Sequence, residues 1–339
     1  MELVTLAEIS EARERIRAIA RYTPLLESPW PRLRQGSSEA GSAKASAPQD
    51  LRTSLFLKCE NLQPMGAFKI RGAFNMIAQL RKENLERGVI TYSSGNHGQA
   101  VAMAAQQLGA PAVIVMPTTA PQVKIDGCKS YGAEVIMAGT TSLDRQSRAE
   151  QEASARGLTI VPPFDHRQII IGQGTMGLEI LEQCPDVATV IVPVGGGGMA
   201  SGVAAAIKLS KPSVRIVAVE PAGAPKMSKS LEAGHPITLP WSKSIADGLM
   251  NLRPGDITFA HIQKFVDEVV TVGEDDIASS VAWLFRNARL VVEPSGAVTT
   301  AAMALGLGNV EVSKGPVVAV VSGGNVSPES FAKYVSIGV

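Results

Sequence analysis

The sequence predicts an α/β fold of mostly parallel, twisted sheets with helices on both faces, and three observations lead to it. Short apolar runs alternate with segments of helical character along most of the chain. Several of these runs end directly in Gly- or Ser-rich turns, the edge at which such sheets bind ligands. Aromatic residues make up only 4% of the chain while glycine occurs 32 times. The core must then be built of Val, Ile, Leu and Ala, as strands buried on both faces require.

The elements follow in order. Residues 5–20 read as a helix, with Thr5 as its cap and Glu8 completing a capping box. Between residues 33 and 49 the composition collapses to Gly, Ser, Ala, Glu and Lys, which predicts a flexible insertion too poor in apolar area to order itself. Strands are then expected at Ser54–Leu57, Val89–Tyr92, Ala112–Val115, Glu134–Met137, Val187–Val194, Arg215–Val219 and Val317–Val321. The helical segments between them include Gly72–Leu80, Gly98–Leu108, Leu143–Ala155 and Gly198–Leu209.

Bulk properties narrow the function classes. A chain of 339 residues has room for two lobes. Its net charge is +1, and no run of Lys and Arg is interleaved with aromatics, so neither nucleic acid nor a membrane surface is an expected partner. Cys59, Cys128 and Cys184 are odd in number and far apart, which argues against a disulfide framework or metal cage and for a reducing compartment. The first residues are acidic and lack the pattern of a signal peptide, and no apolar run is long enough to span a bilayer. A soluble cytoplasmic protein is expected.

Four segments carry chemistry. Gly195, Gly196, Gly197 and Gly198 follow a strand and precede a helix of small residues. Backbone N–H groups can converge there on one anion, helped by the helix dipole. The plain alternative is a tight turn, although a turn needs one glycine rather than four. In Gly66–Gly72, Lys69 sits among apolar neighbours, where desolvation would make it a nucleophilic amine; otherwise it is a solvated lysine at a helix start. Ser93, Ser94, Asn96 and His97 close the run Val89–Tyr92 and can hold a carboxylate, or form an ordinary polar cap. For His97 a hydrogen-bonded structural role is weighed against acid–base work. Ser322 ends Val317–Val321 and brings a hydroxyl to the ligand edge, or simply opens a turn. Together the four describe a phosphorylated cofactor, an imine-forming lysine and a bound substrate carboxylate.

With these motifs in this order, from Arg21–Leu25 to Ser322–Asn325, the chain resembles the serine/threonine dehydratase and serine racemase group of the fold-type-II pyridoxal-phosphate enzymes. The resemblance implies a two-lobed enzyme, with residues 1–87 and 166–339 forming a large cofactor-binding lobe and residues 88–165 a small mobile one. It implies that Lys69 carries pyridoxal 5'-phosphate as a Schiff base, with Phe68 against the ring. Gly195–Gly198 and the backbone N–H of Met199 would hold the phosphate, Asn96 the 3'-oxygen and Ser322 the pyridine nitrogen. Ser93, Asn96 and His97 would hold the substrate carboxylate. A hydroxyl rather than a carboxylate at the pyridine nitrogen favours elimination over transamination. The expected reaction is β-elimination from a small hydroxy amino acid such as L-serine or L-threonine, giving a 2-oxo acid and ammonia.

Two features modify that expectation. Ser94 stands where racemase members carry a serine, so serine racemase with side elimination is the alternative, and 3-hydroxyaspartate dehydratases look similar at this position. Racemase-like members also hold Mg²⁺ or Ca²⁺ with a glutamate, matched by Glu220, and an aspartate, which here is Lys226. An ammonium cannot ligate a hard cation, so no metal site is expected, and Lys226 is either a substitute for the metal beside Glu220 or a solvated surface lysine. Family members are usually homodimers, and a homodimer is expected. The sequence runs only a little past Ser322–Asn325, so a C-terminal regulatory domain and feedback control by isoleucine are not expected.

Overall fold

The computed structural model describes residues 2–33, 54–93, 95–120 and 122–337. Ser94 and, apart from Leu33, the expected insertion at 33–49 lie outside the described residues.

Two sheets organise the molecule, as the two-lobed α/β reading requires. The strands are β1 (Leu25–Ser28), β2 (Leu55–Cys59), β3 (Val89–Tyr92), β4 (Ala112–Met116), β5 (Glu134–Met137), β6 (Thr159–Ile160), β7 (Thr189–Pro193), β8 (Arg215–Pro221), β9 (Glu268–Val272) and β10 (Val317–Val321). The larger sheet has the order β1-β2-β10-β7-β8-β9, and the smaller β5-β4-β3-β6. Every pairing is parallel except β1 with β2.

The seven expected strands are present within a few residues, while β1, β6 and β9 were not foreseen. The N-terminal helix keeps its Thr5–Glu8 capping box but stops at Ile16, short of residue 20.

Strand periodicity fills the space on both faces of each sheet. In β10, Val318 and Val320 enter one core, beneath helices Arg167–Gln183 and Gly198–Ser210. Val317, Ala319 and Val321 enter the other, beneath helix Pro294–Ala304. The smaller sheet repeats the scheme: Ile114 and Met116 of β4 face one cluster, Val113 and Val115 the other. This is why the apolar runs are continuous rather than alternating.

Helix Gly198–Ser210 is seated by backbone contact. A Cβ at Gly174 would stand 3.0 Å from Gly202 O, so the two helices touch main chain to main chain. The strand order also fixes where function can sit. The C-terminal ends of β10 and β7, which are neighbours, deliver Ser322 and Gly195, while β3 of the other sheet delivers Ser93.

Candidate active site

Lys69 is the residue before helix Ile70–Ile77, and its Nζ donates to Pro163 O at 2.7 Å. Burial pushes its ammonium down to about 8, against the pull of the Glu293 carboxyl. The amine also stands 5.1 Å from the centre of the Phe68 ring. Phe68 N donates to Ser322 O at 3.1 Å, and Ala67 bridges to Gly323, so the lysine segment runs along the end of β10.

What holds this helix start in place was not read from the sequence. Arg71, two residues on, is 1% exposed and makes paired bonds to Glu60 (2.8 Å from both Nε and Nη2) and to Glu179 (2.6 and 2.9 Å). Lys58 Nζ adds a bond to Glu179 at 2.6 Å. Two cations face two carboxylates, and nearly all of the donors are satisfied inside the protein. Lys58, Glu60 and Arg71 are isolated charges among apolar neighbours, and nothing local in the sequence marks them as buried partners.

The four glycines follow β7 and lead into helix Gly198–Ser210. Gly197 has φ +105°, and a Cβ on it would stand 2.7 Å from that of Thr258. A Cβ at Gly196 would stand only 2.4 Å from ring carbons of Phe164, and one at Gly198 would lie 3.0 Å from Phe164 O. Of the four, only Gly197 needs glycine for its backbone angle, whereas Gly196 and Gly198 need it for the closeness of Phe164, and Gly195 for that of Asn251 and Gly248. Helix Gly198–Ser210 has no side-chain cap, which leaves N–H groups of its first turn, including that of Met199, for an anion. The Met199 side chain itself lies in the core. Because Pro163 receives Lys69 and Phe164 abuts Gly196, one short loop joins the amine to the glycine turn.

Ser93, Asn96 and His97 come from the smaller sheet, where they follow β3. Ser93 Oγ accepts from Gly95 N at 3.1 Å, and helix Asn96–Gln107 again has no side-chain cap. Asn96 Nδ2 donates to Glu293 Oε1 at 2.6 Å. The His97 ring is buried, with Nε2 at 3.0 Å from Val161 O and Nδ1 without a partner among the described residues. A carbonyl only accepts, so Nε2 carries the proton. Burial and the nearby Lys69 charge push the imidazole down to about 3 and keep it neutral. Ser322 is 3% exposed, its Oγ making a long 3.4 Å contact with Ser295 O.

Lys226 is not a solvated lysine. It is fully buried, 3.2 Å from Glu220 Oε2, and its Nζ donates to Leu249 O at 3.0 Å and Ala224 O at 3.1 Å. Burial pushes its ammonium down while Glu220 pulls the other way. Among the described residues no group of three or more His, Cys, Asp or Glu side chains is placed to hold a metal ion. No helix among them is long and apolar enough to cross a membrane.

These residues fit a phosphorylated aldehyde. An amine that holds its proton less tightly than a solvated lysine suits imine formation, and two uncapped helix starts suit a phosphate and a carboxylate. The relatives agree. The family described as pyridoxal-phosphate dependent enzyme matches residues 40–323. The L-threonine ammonia-lyase of Thermotoga maritima is 39% identical over 337 residues, covering 99% of this chain and 79% of that protein. The serine racemase of Schizosaccharomyces pombe is 35% identical over 337 residues, with 98% of each protein covered. The solved structure of maize serine racemase superposes with a TM-score of 0.86 at 36% identity, over 98% of this chain and 97% of that one.

Proposed function

Because the chain belongs to the pyridoxal-phosphate dependent enzyme family, we propose that it catalyses β-elimination from a small hydroxy amino acid such as L-serine or L-threonine, releasing a 2-oxo acid and ammonia. The observation that carries this reading is the loop Pro163–Phe164, which ties the Lys69 amine to the glycine turn. Lys69, Phe68, Asn96, Gly195–Gly198, Met199 N–H and Ser322 are the residues that would hold the cofactor. When bound, pyridoxal phosphate supplies an electron sink that acidifies the substrate's Cα proton.

The chain's own groups do the rest. With its ammonium lowered to about 8, Lys69 is an unprotonated amine in about a tenth of molecules at pH 7 and about half at pH 8. It is the base for Cα–H. The free N–H groups at the start of helix Asn96–Gln107 and the Ser93 hydroxyl hold the substrate carboxylate. Ser322 offers a neutral hydroxyl to the ring nitrogen, which suits a reaction whose negative charge departs with the β-hydroxyl.

Racemisation is the second reading, carried by Ser94 and by the likeness to serine racemases. It needs a second acid on the face opposite Lys69. His97 does not fill that role, since its imidazole is held neutral and its Nε2–H is committed to Val161 O. Elimination needs only the base on the first face, which Lys69 supplies, and so is the first reading.

The test is Lys69→Ala beside the parent, with L- and D-serine, L-threonine and 3-hydroxyaspartate stereoisomers as substrates. The parent is expected to bind pyridoxal phosphate covalently, seen as a lysine-dependent absorbance band, and to release 2-oxo acid from an L-substrate. The variant is expected to lose both. A variant that keeps the band and turns over normally refutes the assignment.

A further inference from the structure

Glu293 lies outside every motif that pointed to the site, yet the site is built around it. Its side chain is buried, its backbone N–H donates to Gly323 O at 3.1 Å, and a Cβ on Gly323 would stand 2.5 Å from its Oε1. The carboxyl therefore packs against the residue after Ser322. From there a relay of amides runs to the lysine segment. Asn325 Nδ2 donates to Met65 O and to Asn96 Oδ1, both at 2.9 Å, and Asn96 Nδ2 donates to Glu293 Oε1 at 2.6 Å.

Chemistry fixes the direction of that relay. The Met65 carbonyl can only accept, so the amide nitrogen of Asn325 is turned toward it. The same nitrogen then faces the oxygen of Asn96, and the Asn96 nitrogen must face Glu293. One of its two N–H groups is held by the carboxyl, and the other is left for a ligand.

We propose that Glu293 is a positioning residue of the cofactor site, aiming the second N–H of Asn96 at the 3'-oxygen of the cofactor. The inference rests on the cofactor role proposed above for Asn96. Glu293 performs it as an uncharged acid: burial and the neighbouring Asp247 carboxylate push its carboxyl up to about 8, against Lys124, the Asn96 bond and Lys69. Lys124 and Asp247 are themselves ion-paired. Asn96 follows the smaller sheet and Glu293 lies against the larger, so the bond also ties the two together.

Three variants test this. In Glu293→Gln an amide oxygen can accept the same bond, so affinity for pyridoxal phosphate, titrated by absorbance, is expected within about threefold of the parent. Glu293→Ala removes the acceptor, and about a tenfold loss is expected, the scale of one lost hydrogen bond. Asn325→Leu breaks the far end of the relay with Glu293 intact, and a similar loss is expected.

The charge state is read in the cofactor-free protein from the side-chain amide signals of labelled Asn96. These are expected to shift with pH near 8 in the parent and in Lys69→Ala, and to stay flat in Glu293→Gln. Equal losses of affinity in the Gln and Ala variants, no loss in either Ala or Asn325→Leu, or a pH shift that survives in Gln would each overturn the proposal. A parent that binds no cofactor at Lys69 defeats the proposed function instead. The Asn96 signals then still report whether Glu293 orients that amide: it does if they move in Ala and not in Gln at neutral pH, and does not otherwise.

Discussion

Lys226 Nζ lies 3.2 Å from Glu220 Oε2, and neither side chain is exposed. Around the ammonium are also the carbonyls of Ala224 and Leu249, while the carboxylate accepts from Met227 N, Ser228 N and Ser228 Oγ. A side-chain ammonium thus lies against Glu220, the residue that matches the metal-ligating glutamate of racemase-like members. Lys226→Met strands Glu220 without its partner and is expected to lower stability by about 3–5 kcal/mol, with Lys226→Met/Glu220→Gln recovering part of it. Urea denaturation of the three proteins measures this. Chelator treatment of the parent is expected to change neither turnover nor melting temperature, and a loss restored by Mg²⁺ or Ca²⁺ would show that a metal is used after all.

Gly197 makes a sharper demand than its three neighbours. Its φ of +105° and the 2.7 Å approach of Thr258 both exclude a side chain. Gly197→Ala is expected to cost about 1–3 kcal/mol of stability through strain. Because the strain sits in the turn that would cradle the phosphate, affinity for pyridoxal phosphate should fall at least about tenfold. Calorimetry and absorbance titration check the two effects separately.

The fold was legible where residues are buried on both faces. Val317–Val321 and Ala112–Met116 are unbroken apolar runs, and both are strands. The missed strands lack that mark: β9 carries Glu268 and Thr271, β6 has two residues, and β1 is a short antiparallel edge. The site was legible where glycine or lysine occurs in a distinctive local string. Glu293 was not, because Glu-Pro-Ser-Gly reads as an ordinary helix start, and its Asn96 partner is 197 residues away. Arg71 falls within Gly66–Gly72, but its partners Glu60 and Glu179 come from separate elements, and no local pattern announces their convergence.

His97 gives the chain an acid limb. Its folded-state value of about 3 lies below the ordinary 6.5, so the unfolded chain binds the proton first as pH falls. The neutral ring's contribution is complete above about 6.5 and declines as pH falls toward about 3. At pH 5 the loss from this group is about 2 kcal/mol. In His97→Gln, the stability difference between pH 7 and pH 5 is expected to shrink by that amount relative to the parent. Equal slopes in the two proteins would mean that His97 titrates normally.

Ser94 decides between elimination and racemisation by chemistry alone. Racemisation removes a proton from one face of a planar Cα and returns one to the other, so it requires two acid–base groups. Elimination from an L-substrate requires only the base on the first face, since the β-hydroxyl leaves without reprotonation at Cα. If Lys69 serves the first face and Ser94 the second, Ser94→Ala should abolish L/D interconversion and elimination from D-serine. Elimination from L-serine or L-threonine should remain within about tenfold of the parent, short of the roughly hundredfold or more that losing an acid–base group costs. Chiral amino-acid analysis run beside 2-oxo acid release, on both proteins, reads all of these at once. A variant that still interconverts enantiomers at the parent rate removes Ser94 from acid–base work. A parent that never interconverts them leaves elimination as the activity and makes Ser94 a hydroxyl for binding substrate.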